Sequence, residues 1–202
     1  MTNCIVLILI IFINESENSD SGGQNNGKIT RQEARDILFG LLFETEFHGG
    51  ENPSAIYELA CNDREIPEDK YIRESFFGVI TRSEILDATI SRYAKGWRAD
   101  RLSKVSRTVI RIAAYEMLFV EDIPMNVSIS QAVELSVKYG EDKAKQFVNG
   151  VLSGLFKDIQ AKGVEAVLAE GAEALAAKTN ADEEADTAEA AEENAADDSE
   201  NV

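Results

Sequence analysis

After Thr30 the chain settles into a helical rhythm. Ala34, Ile37, Leu38, Leu41 and Leu42 fall at i, i+3, i+4, i+7 and i+8, which puts one apolar stripe on a helix of about four turns. Thr30-Arg31-Gln32-Glu33 gives that helix a T-x-x-E start, in which hydroxyl and carboxylate each take up a free backbone N–H. The glycines after His48 close it. Pro53 opens a second helix through Leu59 and Ala60, because the first turn has no use for the N–H that proline lacks. Pro67 precedes a third, with Tyr71, Ile72, Phe76, Val79 and Ile80 as apolar positions. Thr81-Arg82-Ser83-Glu84 is another T-x-x-E and predicts a restart into Ile85, Leu86, Ile90 and Tyr93.

Val105 to Val120 is apolar nearly all round, the pattern of a helix buried at the centre of a fold. Pro124 lies beyond its end as a stop signal. Ser128-Ile129-Ser130-Gln131 is an S-x-x-Q start for a helix with Ala132, Val133, Leu135 and Val137, and Gly140 is placed as its C-cap. A last helix carries Phe147, Val148, Val151, Leu152, Leu155 and Phe156. Strand signals are weak throughout. The expected fold is all-α, a compact bundle of about seven short-linked helices.

Both ends fall outside this pattern, so the chain divides into residues 1–28, 29–160 and 161–202. Cys4 to Ile13 is an apolar run of ten, half of the roughly 20 residues a membrane span needs. No Lys or Arg precedes it, as a secretory signal requires. It reads as an appended leader, a misplaced translation start, followed by a polar, glycine-rich linker. From Ala161 the chain is rich in Ala, Glu and Asp. Leu168 and Leu175 suit a short helix, but beyond Thr179 no apolar stripe remains to offset ordering entropy, so disorder is expected.

The net charge of −17 argues against a nucleic-acid partner until it is divided along the chain. Lys28 to Gln160 holds 18 basic and 21 acidic residues, a net of −3. Ala161 to Val202 holds 2 and 13, a net of −11, and the remaining −3 lies before Lys28. The body is close to neutral and has room for a basic face.

Catalytic patterns are absent: no G-x-x-x-x-G-K-[ST], no H-E-x-x-H and no G-x-S-x-G. The single histidine, His48, stands in a loop, and Cys4 and Cys61 have no metal-ligand spacing. They read as reduced thiols of a cytoplasmic protein. No catalytic residue, metal or cofactor is expected, and no membrane.

Binding has better support. Arg31, Arg35, Phe39 and Phe43 step by four along the first helix, which sets cations beside rings on one side. That suits phosphate contacts with base stacking on single-stranded RNA; it suits equally a helix whose phenylalanines are core and whose arginines are solvated. Arg92, Lys95, Arg98, Arg101, Lys104, Arg107 and Arg111 form a second basic region, with Tyr93 beside it and Trp97 read as a packing residue.

Ser106-Arg107-Thr108-Val109-Ile110-Arg111-Ile112-Ala113-Ala114-Tyr115-Glu116, then Ile123-Pro124, Ala132-Val133-Glu134-Leu135 and Phe147-Val148-Asn149-Gly150-Val151-Leu152 make an ordered set. That set resembles the C-terminal half of the NusB transcription antitermination family, and the likeness runs from about Thr30 to Ile159. It implies two helical subdomains and binding of boxA RNA in ribosomal RNA transcripts. It also implies partnership with the ribosomal protein NusE and a place in the RNA polymerase antitermination complex. By the same resemblance, Arg31 and Arg35 match the family's N-terminal arginine motif. Phe43 stands where a tyrosine is used against RNA, Tyr93 matches a second aromatic, and Phe147 is a further RNA-side candidate that is equally a core candidate. Asn149 and Gly150 read as structural, the glycine permitting close helix approach. The sequence departs from the family where Gln32 interrupts the arginine motif and where Ile129-Ser130-Gln131-Ala132 replaces I-N-E-A.

Two alternatives stand beside this. One is an RNA-recruiting domain like those fused to ribosomal RNA cytosine methyltransferases, which needs a downstream catalytic domain. The other is a helical interaction module that acts through protein contacts alone.

Overall fold

Thr30 begins the fold as its sequence suggests. In a computed structural model, which describes residues 29–48, 52–94, 103–140 and 143–197, with side chains through residue 181, the Thr30 hydroxyl accepts from the Glu33 N–H at 3.2 Å. The Thr30 N–H donates to Glu33 Oε2 at 2.6 Å. That capping box launches α1 (Arg31–Thr45), which ends one residue before its C-cap Glu46. α2 (Pro53–Asp63) has Pro53 in its first turn and Asn52 as N-cap, and α3 (Lys70–Thr81) starts on the side chain of Asp69.

α4 (Ser83–Ser91) follows at once, but not by the capping box the sequence suggested. Its N-cap is Arg82, without a side-chain bond. The Thr81 hydroxyl instead donates back into α3, to Phe77 O at 2.7 Å. α5 (Lys104–Phe119) is capped by Ser103 and leads into α6 (Met125–Tyr139). The start of α6 also differs from expectation. It begins three residues before Ser128, which is buried with its hydroxyl unpartnered. The Pro124 carbonyl takes the first N–H groups, from Val127 at 2.8 Å and Ser128 at 3.3 Å. α6 ends at Gly140, and α7 (Ala144–Lys162) ends at Gly163, whose φ of +86° suits a residue without a side chain.

α5 is the central strut. Twelve of its sixteen residues are buried, and it packs against α1, α3, α4, α6 and α7. Around it stand a group of α1, α2 and α3, the pair α6 and α7, and α4. Phe39, Phe76, Ile110, Leu152 and Leu155 are among the largest fully buried side chains. Each contributes about 1.5–3 kcal/mol by leaving water. No strand occurs among the described residues.

Leu168 and Leu175 lie in a helix, as the sequence suggests, and that helix runs on past Thr179. α8 (Val164–Asp197) is one helix, and its first turns pack on α4 and α7. Val164, Val167 and Leu168 join the core, and Gly171 is buried. A Cβ on Gly171 would lie 2.1 Å from Thr89 Oγ1. The alanine-rich pattern hid this because small residues make a contact face by close approach rather than by an apolar stripe. The leader lies outside the described residues, as do Glu141, Asp142 and the segment 95–102 with Lys95, Trp97, Arg98 and Arg101.

Candidate nucleic-acid interface

The row of four-residue steps on α1 divides. Each step turns about 400°, so the row drifts about 40° per step, and the first step already carries it from the rim into the core. Arg31, the first residue of α1, is exposed, and its guanidinium carbon lies 4.2 Å over the Tyr71 ring. Arg35, one turn later, is only 4% exposed. Its Nε donates to Glu116 Oε1 at 2.8 Å and its Nη2 to Oε2 at 3.3 Å. The Tyr71 hydroxyl donates to the same Oε1 at 2.5 Å. Burial first, then the charge of Glu116 and the bond to it, push the Tyr71 phenol well above its ordinary range. Arg35 therefore packs inside the fold, where a phosphate does not reach it, and the expectation of a direct contact is corrected.

Phe43 requires the same correction. It is buried and stacks on Phe39 with centroids 5.6 Å apart, while Phe39 stacks on Tyr139 at 4.5 Å. The exposed ring of the row is the next one. Phe47, 40% exposed, meets Phe43 edge-on at 5.0 Å, and Lys104 Nζ stands 3.7 Å over its face. Lys104 also donates to the Glu46 carbonyl at 2.5 Å. Phe47 was missed, although one more step of four from Phe43 reaches it.

Tyr93 and Phe147 share a side of α7. The Tyr93 ring lies on Gly154, where a Cβ would come within 3.1 Å of Cδ1. Phe147, one heptad before Gly154 and so about 10 Å along the same face, is half-buried against the core. The Tyr93 hydroxyl donates to Asp158 Oδ2 at 3.0 Å. Burial, then that bond, pushes its pKa up to about 12. Asn149 and Gly150, expected to be structural, are both exposed, and nothing lies within 4 Å of a Cβ on Gly150. The stripe Val148, Val151, Leu152 and Leu155 turns them outward.

In the second basic region, Arg107 and Arg111 are neutralised from within the fold. Arg111 forks onto Asp87 through Nε and Nη2 at 2.7 and 2.6 Å and reaches Glu46 with Nη1 at 2.5 Å. Arg107 meets the other Glu46 oxygen at 3.5 Å. Burial works against the Arg111 charge, but Asp87 and Glu46 hold its pKa above the ordinary value. These cations tie the end of α1 to α4 and α5. Among the described residues no group of His, Cys, Asp or Glu is placed to hold a metal. None of their helices is long and apolar enough to cross a membrane.

The family model described as the NusB family matches residues 29–157, from the residue before the capping box to the fourth turn of α7. The chain belongs to the NusB family. The transcription antitermination protein NusB of Bacillus subtilis is 45% identical over 136 residues, 64% of this chain and 97% of that protein. Its counterpart in Agathobacter rectalis is 41% identical over 128 residues, 62% and 98% of the two chains. Among solved structures, T. maritima NusB aligns with a TM-score of 0.59 at 36% identity, covering 65% of this chain and 93% of that one. A chain from the crystal structure of antitermination factors NusB and NusE in complex with double-stranded RNA aligns with a TM-score of 0.56 at 28% identity, covering 63% and 96%. α8 lies beyond the stretch matched to NusB.

Proposed function

We propose that this chain is a transcription antitermination factor that binds boxA-type RNA of ribosomal RNA transcripts together with NusE. In that role it joins the RNA polymerase antitermination complex in the cytoplasm and supports processive rRNA transcription. The observation that carries the reading is correspondence over nearly the full length of relatives named antitermination proteins, one matched chain coming from a complex with NusE and RNA. The protein acts by binding rather than by catalysis.

The face it uses combines Arg31 and Phe47, at the two ends of the α1 region, with Phe147 of α7 and Tyr93, which follows α4 and lies against α7. Arg31 to Thr45 spans about 21 Å of helix, a length that a few unpaired nucleotides cover. Unpaired bases stack on exposed rings while cations hold the phosphates. Arg35 and Phe43 support this face from beneath.

Fluorescence anisotropy with a boxA-like RNA, with and without NusE across a salt series, tests the reading. Arg31→Ala is expected to weaken binding and to flatten the log–log salt slope by about 0.7, one phosphate contact on a single strand. No binding at low salt with NusE present overturns it.

A further inference from the structure

α8 puts an acidic side chain between two cations, Arg92 and Lys162, beside the candidate ring Tyr93. Glu170 accepts from Arg92 Nη2 on one side. On the other, Lys162 Nζ reaches its two oxygens at 3.1 and 3.2 Å. Lys162 also meets Asp158 at 3.3 Å, and Asp158 holds the Tyr93 hydroxyl. The Arg92 guanidinium stands 5.5 Å over the Tyr93 ring. A carboxylate held between a guanidinium and an ammonium, beside an aromatic ring, occupies the place a nucleotide phosphate takes in single-strand recognition. The fit on Arg92 is incomplete, because its Nη1 is buried without a hydrogen-bond partner. A tetrahedral phosphate has more acceptor oxygens to offer than one carboxylate.

We propose that α8 is an autoinhibitory arm. Glu170 fills an anion site, made by Arg92 and Lys162, that receives a phosphate of single-stranded RNA once the helix leaves. The inference rests on the RNA-binding reading above and adds its regulation. Its contact face on α4 and α7 is made by Val164, Val167, Leu168 and Gly171, with Leu175 half-buried beyond them. The net charge of −11 over residues 161–202 repels RNA while the arm is docked. α8 lies outside the stretch matched to NusB, so the arm is an addition to the family fold.

Two variants of the full chain separate its parts. Glu170→Gln removes the charge and keeps the helix contact. Gly171→Leu drives a side chain into Thr89, whose hydroxyl is already tied to Ile85 O at 2.7 Å, and undocks the helix without changing charge. Binding of a labelled boxA-like RNA is measured with NusE present across a salt series, and hydrogen exchange over residues 164–178 reports undocking. If the arm is docked in about nine molecules of ten, Gly171→Leu binds about tenfold tighter than the parent, and Glu170→Gln, which empties the anion site but keeps the helix contact, gains a smaller part of that. Each also gains a salt slope steeper by about 0.7. Arg92→Gln added to Gly171→Leu abolishes the gain. Parent-like affinity and slope in Glu170→Gln overturn the anion site, and the same result in Gly171→Leu with faster exchange overturns the arm, both leaving the RNA reading intact. No binding by any of the proteins takes down both.

Discussion

Arg35 and Glu116 stand 81 residues apart in the chain and meet inside the fold as a two-pronged ion pair, Nε to Oε1 at 2.8 Å and Nη2 to Oε2 at 3.3 Å. With Tyr71 bonded to the same carboxylate, one acidic side chain of α5 sets how both α1 and α3 face the strut. Removing one member of a buried pair leaves the other charge out of water and uncompensated. Glu116→Gln is therefore expected to lower stability by about 3–5 kcal/mol, read by urea denaturation. Arg35→Met combined with Glu116→Leu recovers most of the loss. A loss below about 1 kcal/mol in the single variant contradicts this role, since exposed pairs contribute that little.

Phe43 and Phe47 are one turn apart and belong to different functions. Phe43→Leu is expected to lower stability by about 1 kcal/mol, a hydrophobic swap in a packed site, and to leave the RNA affinity of the folded protein unchanged. Phe47→Ala should lower stability by about 1–2 kcal/mol through its contacts with Phe43 and Lys104, and weaken RNA binding by about 1–3 kcal/mol, one stacked base. Denaturation and anisotropy on both variants check the pair, and the reverse pattern would return Phe43 to the surface.

Gly78 is where α3 closes on α5. A Cβ there would lie 2.2 Å from the Tyr115 hydroxyl oxygen and 2.3 Å from its ring carbon Cζ. Gly78→Ala should lower stability by about 1–3 kcal/mol through overpacking, despite alanine's better helix propensity. Tyr115→Phe in the same chain gives only partial relief, because the ring carbons remain. Thermal melts of the two variants and the parent check this, and a melting point raised by Gly78→Ala contradicts it.

The Glu170 carboxyl is held below the ordinary value of 4.5 by its bond to Lys162 and then by Arg92, against slight desolvation. A carboxyl depressed in this way favours the docked helix above about pH 4.5, and the contribution is lost as pH falls through the lowered value. Asp158, lowered by its bonds to Tyr93 and Lys162, faces the same cluster, but its partners lie outside α8 and it titrates without bearing on the docking. Carboxyl carbon NMR should show Glu170 titrating below its ordinary range in the parent and returning towards 4.5 in Arg92→Gln. A midpoint already at 4.5 in the parent contradicts the contact.

The helices were legible wherever packing uses large apolar side chains. The all-round apolar run from Val105 to Val120 is the strut it suggested, and the capping box at Thr30 and the stop at Gly140 formed as read. What misled was polar chemistry that has two outlets. Thr81 and Ser128 resemble helix starts, but a hydroxyl bonds as readily to a carbonyl one turn back, as Thr81 does, or is buried when the chain finds an earlier start, as Ser128 is. At the candidate site, spacing identified the right helix but could not tell where along a drifting row the surface ends. Arg35 and Phe43 fell inside, and Phe47 went unread. The α8 contact was illegible because Gly171 packs by what it lacks.

The ion pair with Glu116 also sets a schedule for synthesis. α1 is complete once Thr45 has been added, but the carboxylate that fixes its inward face comes from the last turn of the strut. At about 5–20 residues per second the ribosome needs roughly 4–16 s to cover the 81 residues between Arg35 and Glu116. Through that interval the first helix has only α2 and α3 to pack on, and the part of its buried side that faces the strut waits for the late-arriving centre of its own fold.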